Sequence, residues 1–152
     1  MPKIHPFLWF DKEAEEAANF YVSIFKKAKI HDVNRMNESD PPLVVTFELE
    51  GQHYVALNGG PGHPFTDAIS LQINCTDQSE VDYYYDRLVA GGKEIACGWL
   101  TDKFGVTWQV TPTRLGELLL SSDRTKANRA MEAMMKMKKI DIAAMEAAYE
   151  QC

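Results

Sequence analysis

The spacing of apolar residues along the chain changes period several times. Residues 3–10 (KIHPFLWF) read as a strand, and Asp11 stands where a helix cap is expected. Ala14, Ala17/Ala18, Tyr21 and Ile24/Phe25 then recur at i, i+3/i+4 spacing, which predicts a helix to about Lys27. A weaker strand is expected over residues 29–35. Met36–Pro42 is polar, ends in two prolines and reads as a loop. Leu43–Glu50 alternates, Glu50-Gly51-Gln52 looks like a hairpin turn, and His53–Leu57 is the return strand. The run Asn58-Gly-Gly-Pro-Gly-His-Pro is the strongest break in the chain and reads as a linker.

The pattern then starts again. Ala68–Cys75 (AISLQINC) alternates strictly, Asp77 and Glu80 form a capping box, and Val81, Tyr84/Tyr85 and Leu88 make a helical stripe. Gly91-Gly92 ends that helix, Lys93–Leu100 is a strand candidate, Asp102–Gly105 a turn, and Val106–Thr111 a last strand stopped by Pro112. Two units of strand, helix and two or three strands therefore follow one another, over about residues 3–60 and 67–112. After Pro112 the periodicity is helical, over 115–121, 126–138 and 142–149. This tail holds five of the six internal methionines and reads as a cover over a sheet edge or subunit seam.

Charge follows the same division. Sixteen basic and 22 acidic residues give a net charge of −6, which argues against a nucleic-acid partner. Residues 1–113 carry −7 and residues 114–152 carry +1, so the acid excess belongs to the paired units. The longest run free of Asp, Glu, Lys and Arg is Gly51–Thr66, 16 residues interrupted by Gly and Pro, too short for a membrane span. With no leader-like apolar region at the N-terminus, and with Cys75, Cys97 and Cys152 an odd set lacking a CxxC, the expected setting is a reducing cytoplasm with free thiols.

Strand parity assigns side chains to faces. His5, Phe7 and Trp9 oppose Ile4, Leu8 and Phe10. Tyr54, Ala56 and Asn58 oppose Val55 and Leu57. Ser70, Gln72 and Asn74 oppose Leu71, Ile73 and Cys75, and Thr107, Gln109 and Thr111 oppose Val106, Trp108 and Val110. The more apolar faces are expected against the helices. The others gather His, Trp, Phe, Ser, Gln, Asn and Thr, a mixture that suits a half-open pocket with apolar walls and a few hydrogen-bonding groups.

The doubled unit, opening with HPFLWFDKEAEEAANFY, resembles the vicinal oxygen chelate superfamily of glyoxalase I, bleomycin-resistance proteins and extradiol dioxygenases. The segments HPFLWFD, FELEGQHYVALNGGP and DKFGVTWQVTP look like its PhnB-like branch, labelled 3-demethylubiquinone-9 3-methyltransferase. The resemblance covers residues 3–113 and implies an α+β fold of two βαβββ modules, each curling into a half-cup, in a domain over 1–113 followed by a helical extension over 114–152. It also implies a homodimer.

In metal-dependent members four ligands, usually His and Glu, come from the first and last strands of the modules. Carried over, these positions fall at His5, near Ala56–Asn58, at about Ser70 and at Gln109. One imidazole with neutral oxygens would hold a divalent metal only weakly, so no metal ligand set and no cofactor is expected. His31 and His53 read as surface or strand-edge residues and His63 as part of the linker. Gly59, Gly60 and Gly62 do not lead into a helix, unlike the glycine-rich turns that hold methyl donors.

Two small-molecule functions follow, beside a third reading, a mainly structural or interaction role through the methionine-rich tail. The first is metal-independent binding of a small, partly aromatic molecule, with Phe7, Trp9 and Trp99 stacking and Asn58, Ser70, Gln72 and Gln109 orienting it. The second is an enzyme of the superfamily (lyase, isomerase or dioxygenase type, or the methyltransferase of the label), with His5 as the general base. Neither nucleic acid nor membrane is an expected partner.

Overall fold

Pro6 sets the start of the first strand. It has no N–H to give a ladder, and its carbonyl accepts from Val55 N–H (3.2 Å) just before β1, Phe7–Phe10, begins. In the computed structural model, which describes residues 1–151, the chain divides into two compact units. One is Met1–Pro64 and the other runs from Phe65 onward. Cys152 lies outside the described residues.

The first unit continues with α1 (Ala14–Ile24), β2 (Ala28–Asn34), β3 (Val44–Leu49) and β4 (Gln52–Asn58). Its sheet has the order β1-β4-β3-β2, with β1 parallel to β4 and the other pairs antiparallel. Ala14, Ala17, Ala18, Tyr21 and Ile24 are the buried stripe of α1. They share the interior with Leu8, Phe10, Val45, Phe47, Leu49, Tyr54 and Ala56. Small alanines let the helix lie close to the sheet, where Tyr21, Phe47 and Tyr54 stack in series. The expected hairpin is present: Glu50 (φ 48°) and Gly51 (φ 88°) are both left-handed, as a two-residue turn of this twist requires.

The second unit repeats the connectivity. β5 (Leu71–Cys75), α2 (Gln78–Val89), β6 (Lys93–Glu94), β7 (Trp99–Thr101) and β8 (Thr107–Pro112) form a sheet of order β5-β8-β7-β6, again with one parallel pair, β5 with β8. Asp77 caps α2 by accepting from Glu80 N–H at 2.9 Å, and Glu80 accepts in turn from Thr76 N–H. The single strand expected over 93–100 is instead a small hairpin. Cys97 (φ 57°) and Gly98 (φ 85°) reverse the chain, and their N–H groups go to Met137 and Lys138 carbonyls. Those tail partners are far away in sequence, which is why local alternation gave no sign of the reversal.

The tail forms α3 (Thr113–Leu119), α4 (Arg124–Met135) and α5 (Ile142–Glu150), and it is part of the second unit. Leu118, Ala130, Ile140 and Met145 make its core. Gln78 on α2 clamps the segment before α5, donating to Ile140 O and accepting from Ile142 N–H, while Lys139 bridges Asp82 and Asp86. The described residues thus form five helices and two open four-stranded mixed sheets, and no helix among them is long and apolar enough to cross a membrane.

Candidate functional site

In the first unit, register decides which side chains leave the helix-covered face. Phe7 pairs with Val55 and Trp9 with Leu57, while Leu8 and Phe10 pair with Ala56 and Asn58. Leu8, Phe10 and Ala56 are buried under α1, so Phe7, Trp9, Val55 and Leu57 form the other face. This reverses the parity expectation for β4: the open face carries Val55 and Leu57, and Asn58 belongs to the helix side. There Asn58 accepts from Ala14 N–H at 2.8 Å and donates to Pro42 O at 2.8 Å. It is the cap of α1, the role expected of Asp11, and it ties helix, strand and loop together. The local sequence DKEA gave no hint of a cap supplied from 44 residues away.

Trp9 is 37% exposed and Phe7 57% exposed, yet Trp9 is firmly held. Its indole N–H donates to Gly60 O at 2.9 Å, and the His63 ring lies 4.1 Å away, tilted by 39°. The backbone at Gly59 passes so close to the indole that a Cβ there would stand 2.3 Å from a ring carbon. Gly59 N–H donates to Phe10 O, and Gly60 N–H to Asp11 O. The glycine-rich run read as a linker is therefore also the clasp of Trp9, and His63 is part of it.

His5 lies just before β1 with its Nδ1 3.3 Å from Pro2 O. On the same sheet, Glu48 and His53 are cross-strand partners. β2 carries a bulge between Ile30, paired with Phe47, and Asp32, paired with Thr46. The extra residue is His31, and the bulge turns its ring to Glu48. Glu48 Oε1 then lies 3.1 Å from His31 Nε2 and 3.2 Å from His53 Nε2. The hydrogen bond from His31, with smaller charge contributions from His53 and Lys29, holds the Glu48 carboxyl below the ordinary glutamate range against the opposing effect of burial.

In the second unit, Leu71, Ile73 and Cys75 pair with Trp108, Val110 and Pro112 on the α2 side, and Gln72 and Asn74 pair with Gln109 and Thr111 on the other. Trp99 pairs with Gln109 and joins that second face. Gln109 donates to Ser70 Oγ and Gln72 to Asn74 Oδ1, each at 2.9 Å. This face therefore gathers Ser70, Gln72 and Gln109 as parity expects, together with Trp99, to which parity gave no side.

The resemblance implies metal donors at four strand positions. Here the open face of β4 offers the hydrocarbon of Leu57, and Ser70 and Gln109 are neutral and bonded to each other. With His5 the only imidazole, that donor set does not fit a catalytic divalent metal. The cysteines supply no nucleophile of note in β5: Cys75 is fully buried, and burial, with help from Glu80 and Asp77, pushes its thiol up to about 12. At pH 8 the thiol is therefore neutral, and iodoacetamide should leave Cys75 unmodified until the protein unfolds. Mass-spectrometric mapping of alkylation in folded protein checks this, and prompt labelling of Cys75 would contradict it.

Two βαβββ units, each with a helix on one face of its sheet and an open second face, make the glyoxalase/bleomycin-resistance fold. The chain belongs to the PhnB-like family described as 3-demethylubiquinone-9 3-methyltransferase, which matches residues 2–111. It is 34% identical to a PhnB protein from Bacillus cereus that carries the same family description, over 74% of this chain and 100% of that one, with a TM-score of 0.68. It also shares its fold with protein PA1353 from Pseudomonas aeruginosa (18% identity, 74% and 98% covered, TM-score 0.62). A glyoxalase-related enzyme from Fulvimarina pelagi is similar in fold as well (16% identity, 76% and 91% covered, TM-score 0.52). No functionally curated protein matches the chain.

Proposed function

We propose that the protein binds a small, partly aromatic molecule on an open sheet face, without a catalytic metal. The observation that carries this reading is Trp9: an indole held on two sides by Gly59, Gly60 and His63 while a third of its surface, and more than half of Phe7, stays open. Burial of aromatic surface against such a fixed ledge is favourable, and little side-chain freedom is left to lose. The second unit has an open face of its own, where Trp99 lies beside the hydrogen-bonded pairs Gln109–Ser70 and Gln72–Asn74. By resemblance to its superfamily the protein works as a homodimer, and the free thiols of Cys75 and Cys97 fit a reducing cytoplasm.

Methyl transfer, which the family description names, and His5 base catalysis have no comparable support. The glycine-rich run that a methyl donor would use is occupied in clasping Trp9. The test is a thermal-shift screen of aromatic and carbonyl-bearing metabolites in EDTA. At least one ligand should raise the melting temperature of the wild type, and Trp9→Ala should lose the shift while folding normally. Stabilisation that appears only with added divalent metal would reject the reading.

A further inference from the structure

We propose that His31, Glu48 and His53 form a binding site for a divalent transition-metal ion of the zinc class on the open face of the first sheet. The site is separate from the four strand positions discussed above and does not rest on the ligand reading. Three independent strands supply it. Glu48 and His53 face each other across the β3–β4 ladder, and His31 is the bulged residue of β2. Strand pairing alone would leave Lys29, the Glu48 partner on β2, at that position; the bulge brings an imidazole in instead.

The geometry is near that of a ligand set. An ion with bonds of about 2.0–2.1 Å in tetrahedral array sets neighbouring donors roughly 3.4 Å apart. Glu48 Oε1 stands 3.1 Å and 3.2 Å from the two Nε2 atoms, and the three donors all lie within 4.8 Å of one another. The two rings lie 5.2 Å apart and 6° from parallel, so binding requires their side chains to rotate until both nitrogens meet at a common point. All three side chains are only a quarter or so exposed, which limits competition from water. A second observation concerns the same ring. His53 Nδ1 is buried with no hydrogen-bond partner among the described residues, so Nε2, beside Glu48, is the ring nitrogen that would face an ion.

Two imidazoles with one carboxylate favour zinc, cobalt, nickel or iron over magnesium and calcium, which prefer oxygen alone. Three protein donors also leave coordination positions open. His53 lies two residues along β4 from Val55, the partner of Phe7, so the ion would stand about 7 Å along the strand from the aromatic ledge.

The experiment uses the full chain, stripped with chelator and titrated with Zn2+ by calorimetry and with Co2+ by absorption. One equivalent should bind, without the charge-transfer band of a thiolate ligand. His31→Gln and His53→Gln should each weaken binding at least tenfold, and His5→Gln should leave it unchanged. Melting curves establish that each variant folds; Glu48→Gln, which keeps the side-chain shape, replaces any that does not, with the same tenfold loss expected. On the wild type, Zn2+ should move the ring resonances of His31 and His53 but not those of His5. Wild type that binds no Zn2+ at millimolar concentration, unchanged affinity in the folded variants, or a response centred on His5 would overturn the assignment.

Discussion

Asp102→Ala should lower stability by about 3 kcal/mol or more, the cost of leaving two or more buried donors unpaired. Asp102 is 2% exposed at the corner between β7 and β8. Its Oδ1 accepts from Phe104 N–H at 2.9 Å and Val106 N–H at 3.1 Å, and its Oδ2 from the Trp108 indole N–H at 2.8 Å. One carboxylate thus fixes the turn, the start of β8 and the largest side chain of the second core. Alanine removes every acceptor at once and opens a void beside Trp108. Water reaches the partly buried Phe104 N–H more readily than the other two, so Val106 and Trp108 carry most of the loss. Asp102→Asn keeps one oxygen for the turn but sets an amide nitrogen against the indole N–H, and should fall between wild type and alanine. Urea unfolding of the three proteins measures this; an alanine variant within about 1 kcal/mol of wild type would show that the corner is held otherwise.

Gly59→Ala should have the larger effect on function. The new methyl would meet the Trp9 indole at 2.3, 2.6 and 2.8 Å, well inside any permitted contact. The neighbour is a ring on a rotatable side chain, so the strain is relieved by expelling the indole rather than by moving the sheet. Expulsion breaks the Trp9–Gly60 bond and the His63 contact, so the ledge beside Phe7 loses its rigid half. An aromatic anchor of this kind commonly carries 1.4 kcal/mol or more, so ligand affinity should fall about tenfold or further. Tryptophan fluorescence should report a wetter indole, and the melting temperature should change little. Unchanged emission with unchanged affinity would mean that the clasp is not what positions Trp9.

Much of the fold was written in local periodicity. The α1 and α2 stripes, the Glu50-Gly51 turn and the alternation of 71–75 all lie in short windows of sequence, and they reappear in the repeated order strand, helix, three strands. Two features depended on distant partners and had no local signal. The Cys97–Gly98 reversal is stabilised by carbonyls of Met137 and Lys138, and α1 is capped by Asn58. The second of these also upset the face of β4, because Asn58 reads as a polar residue of an open surface when its partner helix is not in view.

The candidate site divides in the same way. Phe7, Trp9, Ser70, Gln72 and Gln109 were assignable by parity, since each lies on or beside a regular strand, whereas the face of Trp99 depends on the β6–β7 hairpin. The Glu48–His53 pair follows from the observed two-residue turn, since the turn expected over Glu50-Gly51-Gln52 would shift that register. His31 was not assignable, because a bulge is defined by the mismatch of two strands and not by either alone. The clasp at Gly59 was hidden for a similar reason: a glycine-rich run reads as a break wherever the indole it meets is 50 residues away.

The most direct measurement is an untargeted mass-spectrometric survey of what purified protein carries, with metals and small molecules quantified on the same sample before and after EDTA. The expected result is an aromatic or partly aromatic small molecule that survives EDTA treatment and is absent from Trp9→Ala. A small molecule released together with a stoichiometric metal ion, and retained equally by Trp9→Ala, would contradict it.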